Sequence, residues 1–239
     1  MSLLDTITRT MLVKPNPAGH PFIGGGIALT ILFLIIWEPL GLFFLILTLS
    51  VWYFFRDPVR AVPQKEGLVL APADGRVISI TENVTLPDEL GNALEEEDMN
   101  FTKISIFLSV LDVHVNRTPI SGKIIDTFYY EGKFLNAELD KASEENERAH
   151  ALIKTDKGHY IGLSQIAGFV ARRIVTDLEK GKDVTTGERY GIIRFGSRAD
   201  IYLPPKISSL VCVGQRTIGG ETILADTNSK EKQRQANLI

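Results

Sequence analysis

Hydrophobic and polar positions divide this chain sharply in two. From Phe22 to Phe55 a single charged side chain, Glu38, interrupts an otherwise apolar window; every other charge lies outside it. Glu38-Pro39 splits the window into two runs, Phe22–Trp37 and Leu40–Phe55. Pro39 disfavours helix at Glu38 and Gly41 follows, so the pattern predicts two helices with a turn at Glu38-Pro39. Each run would span roughly 24 Å as helix at 1.5 Å per residue. That is slightly short of a hydrocarbon core about 30 Å thick, as in a tight or re-entrant hairpin; one bent span is the competing arrangement. Arg9 and Lys14 precede the window, and Arg56 and Arg60 follow it. Positive charge on both flanks predicts both ends on the cytoplasmic face and an even number of crossings. Trp37, Trp52 and Tyr53 lie near the run ends, where interfacial aromatics belong, which disfavours a helical pair buried in a soluble core. The window is too long for a signal-peptide core, and no small-residue cleavage site follows it.

Beyond Arg56 the hydrophobic period shortens. Short strand-like runs occupy Val69–Ala71, Arg76–Ile80, Lys103–Leu108, Lys123–Tyr130, His150–Thr155, Tyr160–Ile166, Val170–Val175, Tyr190–Phe195, Asp200–Leu203 and Ser209–Val213. Many are bounded by Gly, Pro, Asn or Asp, as strands should be. Helical signal is confined to Asn136–Ser143 and a turn around Asp177–Lys180. The acidic stretch Pro87–Asn100 reads as a solvated loop, and the polar tail from Asn228 as a frayed end. The expected fold is mainly β within an α+β class, a barrel- or sandwich-like domain behind a helical hairpin. The expected layout is an N-terminal cytoplasmic segment (1–21), the hairpin (22–55), a β-rich domain (56–227) and the tail (228–239).

Composition removes whole classes of function. With 26 Lys and Arg against 29 Asp and Glu among 239 residues, the net charge of -3 leaves no basic footprint for nucleic acid. Cys212 is the sole cysteine, so neither an intrachain disulfide nor a multi-cysteine metal site can form. His20, His114, His150 and His159 form no H-x-H or H-E-x-x-H pair, and no metal site is expected. P-loop, G-x-G-x-x-G and G-x-S-x-G motifs are all absent.

Three segments remain. Ala71-Pro-Ala-Asp-Gly-Arg-Val77 sets Asp74 at a turn between two strands; Asp-Gly is a preferred turn pair, so the acid is either a turn residue or a site. Leu111-Asp-Val-His-Val-Asn-Arg-Thr-Pro-Ile-Ser-Gly122 sets His114 three residues before Arg117. A histidine can exchange a proton near neutral pH and an arginine can hold an anion, yet a lone histidine is often structural. Gly191-Ile-Ile-Arg-Phe-Gly-Ser-Arg198 holds the only Gly-Ser step, by itself a turn or bulge.

Taken together, from about Arg56 to Ala225, these segments closely resemble the phosphatidylserine decarboxylase family. The resemblance also takes in Asn146-Glu147-Arg148, Ile166-Ala-Gly-Phe-Val-Ala-Arg-Arg-Ile174, Gly187-Glu-Arg-Tyr-Gly-Ile-Ile-Arg-Phe-Gly-Ser197 and Val213-Gly-Gln215. The apolar N-terminal segment looks like that of the family's short membrane-associated branch. The resemblance implies a proenzyme that cuts itself at Gly196–Ser197 into a β chain (1–196) and an α chain (197–239). Ser197 would become a covalent pyruvoyl group. The implied activity is decarboxylation of phosphatidylserine to phosphatidylethanolamine and carbon dioxide at the cytoplasmic face of the cell (inner) membrane, and a homo-oligomer stays open. The family's motif acid matches Asp74 and its motif histidine matches His114; Arg117, Arg172 and Arg173 are candidates for the substrate's phosphate or carboxylate. Two positions depart from the longer members. Arg117 stands where they often carry a second histidine, and the cut reads Phe195-Gly-Ser-Arg198 rather than Leu-Gly-Ser-Thr.

Within this expectation an archaetidylserine-type lipid is the alternative substrate. The non-enzymatic alternative is a membrane-anchored β-barrel binding or carrier module, since the Pro-x-Asp-Gly turn and Val213–Gly220 also occur in biotinyl- and lipoyl-like barrels. Those barrels need an attachment lysine at a hairpin tip, and no Met-Lys-Met or Asp-Lys-Ala step is present. A catalytically silent homologue is the other alternative, against which Asp74, His114 and Ser197 all stand intact.

Overall fold

Helices α1 (His20–Ile36) and α2 (Glu38–Phe54) form the apolar window. The computed structural model describes residues 13–94, 100–132, 145–168, 173–194, 197–234 and 236. It divides the chain into two units, Met1–Val59 and Arg60–Ile239.

In the first unit the break falls at Trp37, whose backbone is extended (φ -159°, ψ 101°). Glu38 is already helical, so the break falls one residue before the turn expected at Glu38-Pro39. Pro39 sits in the first turn of α2, where its missing N–H costs nothing. Each helix has 17 residues, about 26 Å. With its preceding turn, Pro17–Ile36 is long and apolar enough to cross a membrane (mean hydropathy 1.9); α2 is shorter. The helices approach closely at small residues, Gly26 against Thr48 and Gly41 against Leu34. Thr30 and Thr48 meet at 3.3 Å and each bonds back to its own helix. Asn16 N donates to Phe55 O and Asp57 N to Lys14 O, tying the two ends of the unit together. The outward side chains are apolar and exposed, Ile35 to 81% and Ile46 to 66%.

The second unit is built from thirteen strands among the described residues: β1 (Leu68–Leu70), β2 (Gly75–Val84), β3 (Phe101–Leu108), β4 (Val115–Arg117), β5 (Gly122–Tyr130), β6 (Arg148–Lys154), β7 (Tyr160–Ala167), β8 (Ile174–Thr176), β9 (Asp183–Val184), β10 (Arg189–Ile193), β11 (Ser197–Leu203), β12 (Arg216–Thr217) and β13 (Ile223–Asp226). Eight form one antiparallel sheet in the order β12-β2-β3-β11-β7-β6-β5-β9; β4-β10-β8 make a small sheet, and β1 pairs with β13. This is the mainly β architecture the alternation predicts.

β7 and β11 are buried at every position, so the middle of the large sheet is covered on both faces. Ala199, Ile201 and Leu203 point to one face, the latter two into the main core with Ile104, Ile106, Leu163 and Val77. Tyr202 points to the other, into a second core with Leu86, Leu90, Phe101 and Leu152. There Arg198 and Asp200, two apart on β11, form a buried ion pair at 2.9 Å.

Two expectations change here. Ser209–Val213 is not a strand: Ser209 Oγ accepts from Val211 N, and Gln215 Oε1 accepts from Cys212 N, so side chains satisfy backbone groups that a neighbouring strand would otherwise take. The acidic stretch is not wholly a solvated loop, because Asp88–Gly91 makes one helical turn, α3, that buries Leu90. Asn136–Ser143 and residues 170–172 of the seventh expected strand lie outside the described residues.

Candidate active site

Ser197 opens β11, the fourth strand of the eight-stranded sheet. It pairs with Leu108 of β3 on one side and Ala167 of β7 on the other. It is fully buried, and among the described residues its Oγ has no hydrogen-bond partner. A buried hydroxyl without a partner costs about 1–3 kcal/mol, which makes Ser197 a candidate position for chemistry.

The small sheet packs over the same part of the large sheet. Gly191 of β10 abuts the Gln165 side chain of β7, and Ile193 packs with Ala167 of β7 and Ala149 of β6, so β10 lies over β7. On one flank of β10, β8 leans toward β6, because Ile174 joins the same cluster. β4, on the other flank, therefore lies toward β11. Asn116 is opposite Gly191 in the ladder, and Ile193 N donates to His114 O at 3.3 Å. The Asn116 side chain reaches down to Gln165, whose Nε2 donates to Asn116 Oδ1 at 2.8 Å. His114 lies two residues before Asn116, just ahead of β4, and Ile193, whose N–H bonds the His114 carbonyl, packs on Ala167, the ladder partner of Ser197.

His114 is fully buried, with Nδ1 3.0 Å from the Asp112 carbonyl. A carbonyl oxygen can only accept, which assigns the proton to Nδ1 and the lone pair of the neutral ring to Nε2. That is the tautomer a general base requires. Asp112 is in turn held by Ser109, through N and Oγ, and by Arg216.

Asp74 lies in the turn between β1 and β2. Its neighbour Ala73 packs on Leu108 and Ala199, beside the serine's own ladder. Pro72 O accepts from Arg117 N, joining this turn to β4. Gly75 fits only without a side chain, since a Cβ would strike the Phe107 carbonyl. Arg60 Nη2 reaches both Asp74 oxygens, at 2.9 and 2.7 Å, and Gly219 N donates to Oδ1 at 2.8 Å. Burial pushes the Asp74 carboxyl above its ordinary value, and the Arg60 charge and the two donors only partly offset this. Among the described residues the carboxylate's hydrogen-bond partners are Arg60 and Gly219, not His114.

Arg117 is buried and donates Nη1 to Gly187 O. Arg173 is exposed and lies at the same end of the small sheet, two strands from His114, where its carbonyl accepts from Arg194 N. Gly196 and Arg172 lie outside the described residues. Among those described, no group of His, Cys, Asp and Glu could hold a metal ion.

Comparison with known proteins gives this arrangement its context. Residues 47–225 match the family profile described as phosphatidylserine decarboxylase. The chain belongs to the phosphatidylserine decarboxylase family. It is 48% identical over 234 residues to the phosphatidylserine decarboxylase proenzyme of Cereibacter sphaeroides, covering 98% of this chain and 97% of that one. It is 50% identical over 218 residues to the corresponding proenzyme of Nitrobacter winogradskyi, covering 91% and 86%.

Membership in the decarboxylase family came from motifs, and the structure adds residues those motifs did not single out. Asp112 and Asn116 lie inside the His114 segment, at even spacing from it, a signal that alternation could have supplied. Arg60 and Gln165 carry no local signal, because each reaches the site from a distant part of the chain.

Proposed function

We propose that this chain is a self-processing phosphatidylserine decarboxylase. It cuts itself at Gly196–Ser197 and removes carbon dioxide from the serine headgroup of the lipid. The observation that carries this reading is a fully buried Ser197 hydroxyl, at the start of a strand and at the only Gly-Ser step, with no hydrogen-bond partner among the described residues.

A serine hydroxyl is a weak nucleophile until a base takes its proton. His114 Nε2 accepts that proton. The Asp112 carbonyl holds the ring, and the Asp74 carboxylate favours the imidazolium that results, the division of labour of a serine triad. Oγ then bonds to the carbonyl carbon of residue 196, the C–N bond breaks, and the proton passes to the departing Ser197 nitrogen. β-Elimination of the ester, followed by hydrolysis with loss of ammonia, would leave a pyruvoyl group at residue 197, and that group would supply the electron sink for decarboxylation. Ser197 fits this fate, being buried at a strand start with no competing partner among the described residues. In turnover His114 returns a proton to the decarboxylated carbon. Arg173, exposed at the rim, suits the substrate phosphate, whereas Arg117 ties the turn at Gly187 to β4.

The helical pair supplies membrane attachment, with both ends cytoplasmic by their positive flanks. A diacyl substrate stays in the bilayer, so its enzyme needs such an anchor.

Intact mass of the denatured protein tests the reading. Two chains, 1–196 and 197–239 with the second blocked at its N-terminus, are expected, and Ser197→Ala should give one uncut chain of about 26.5 kDa. Wild-type protein that stays uncut, or Ser197→Ala protein that is still cut, overturns it.

A further inference from the structure

The Asp112 carbonyl that holds His114 is itself held, partly from a distant point of the chain. The Asp112 carboxylate is buried and takes three hydrogen bonds. Ser109 N and Oγ both donate to Oδ2, at 2.9 and 2.7 Å, and Arg216 Nη2 donates to Oδ1. Asp112 N donates back to Ser109 O at 2.9 Å, which closes residues 109–112 as a turn. Arg216 is placed by the ladder of β12 with β2, although its side chain is 70% exposed. A turn bonded through both its backbone and its last side chain fixes the direction of its last carbonyl. That carbonyl lies 3.0 Å from His114 Nδ1.

We propose that Asp112 and Arg216 are positioning residues for His114: their ion pair sets the turn whose carbonyl keeps the proton on Nδ1 and the basic lone pair on Nε2. Which ring nitrogen carries the proton is decided by the hydrogen bond the ring makes, and here a carbonyl on a braced turn makes the choice. When Nε2 takes the Ser197 hydroxyl proton, Nδ1–H stays on the ring and its bond to the Asp112 carbonyl becomes charge-assisted. The imidazolium is held in this way until Nε2 gives the proton to the departing Ser197 nitrogen. The bracing outlasts the cut. Ser109, Asp112 and His114 stay in the 1–196 chain, and Arg216 passes to the 197–239 chain. Each chain of the mature enzyme therefore supplies part of the support for the base. Asp112 and Arg216 act through the ring, not on the reacting atoms.

The inference rests on the cleavage reading, and two readouts keep their failures apart. The first needs no cleavage. Full-length Ser197→Ala protein in detergent micelles is labelled with ¹⁵N-histidine; it has four histidines, and His114→Gln identifies the ring signals of His114. Those signals are expected to show a protonated Nδ1 and a bare Nε2. In the same background Asp112→Ala is expected to mix the two tautomers. Arg216→Met is expected to move the signals part of the way, and Arg216→Lys, which keeps the charge, to restore them. The second readout is cleavage of freshly translated chain that keeps Ser197. Asp112→Ala is expected to slow it by about 10–100-fold, the worth of one hydrogen bond to a charged group. Arg216→Met, which removes an exposed partner, is expected to slow it by about 2–5-fold, and Arg216→Lys to regain most of that. In cleaved Arg216→Met enzyme the loss should fall on kcat for phosphatidylserine and leave KM unchanged. A merely space-filling role would not move the tautomer. His114 signals that stay in place in Asp112→Ala and Arg216→Met, or that move while cleavage keeps the wild-type rate, overturn the proposal and, with Ser197→Ala uncut, leave the cleavage reading standing. If Asp112→Ala does not fold, the Arg216 variants, at a largely exposed position, decide by themselves. Ser197→Ala protein that is still cut overturns the cleavage reading, and the role given to the base goes with it.

Discussion

Removing Arg60 should move the pH dependence of self-cleavage in a calculable direction. Arg60 Nη2 bonds both oxygens of Asp74, and only the Gly219 amide remains once it is gone. Burial already raises the Asp74 pKa, and the guanidinium is the main force opposing it. A hydrogen bond to a charged group is worth about 1.5–3 kcal/mol net. Arg60→Ala should therefore raise the Asp74 pKa further. On the proposed mechanism Asp74 assists His114 only while ionised, so the acid limb of the rate profile should shift upward, with the plateau at higher pH largely restored. The assay is cleavage of freshly translated chain, quenched in time and quantified by gel, from about pH 5 to pH 9. Arg60→Lys, which keeps the charge but loses the fork, should shift the limb less. A limb that stays in place while the plateau collapses would refute the reasoning, since it would make Arg60 a folding residue. Wild-type cleavage by Asp74→Asn would refute it at the root.

Other consequences follow from buried groups away from the serine. His150 is pushed down to about 4 by burial, so the unfolded chain binds its proton more readily. Its contribution to stability is therefore complete above pH 6.5 and lost as pH falls toward 4, by about 3 kcal/mol in all. His150→Gln should flatten that part of a denaturant-midpoint profile, and an unchanged slope would show the ring is not responsible. Arg198→Met strands the Asp200 carboxylate in the second core and should cost about 3–5 kcal/mol. Adding Asp200→Leu should recover most of that loss in urea titrations, and a double variant no better than the single would mean the pair itself is not the cause. Gly191→Ala drives a methyl into the Val175 carbonyl and against Gln165, so it should slow cleavage. Normal processing of that variant would mean β10 need not sit this close to β7.

Much of this protein was readable one segment at a time. The apolar window announced its helices because a run from Phe22 to Phe55 with one charged residue tolerates few other structures. The strand runs announced themselves because a half-buried strand must alternate. Even the misreadings were local. Trp37 rather than Glu38 breaks the helices, since Pro39 is as acceptable in a first turn as in a bend. Ser209–Val213 looked like a strand because side-chain capping leaves no hydrophobic signature.

Partnership between segments was another matter. Asp74, His114, Asn116, Gln165 and Ser197 are spread over more than half the chain, and any one of them has an ordinary structural explanation where it stands. Periodicity says which face of a strand is buried but not which strand lies across from it. The order β3-β11-β7 and the placement of β4-β10-β8 above it come from the joint packing of Ile193, Ile174, Ala149 and Ala167, contacts between residues far apart in sequence. The Arg60 fork on Asp74 and the fixed Asn116 amide exist only once those layers close. Each depends on a guanidinium or an amide arriving from elsewhere in the fold, and a linear pattern records neither arrival.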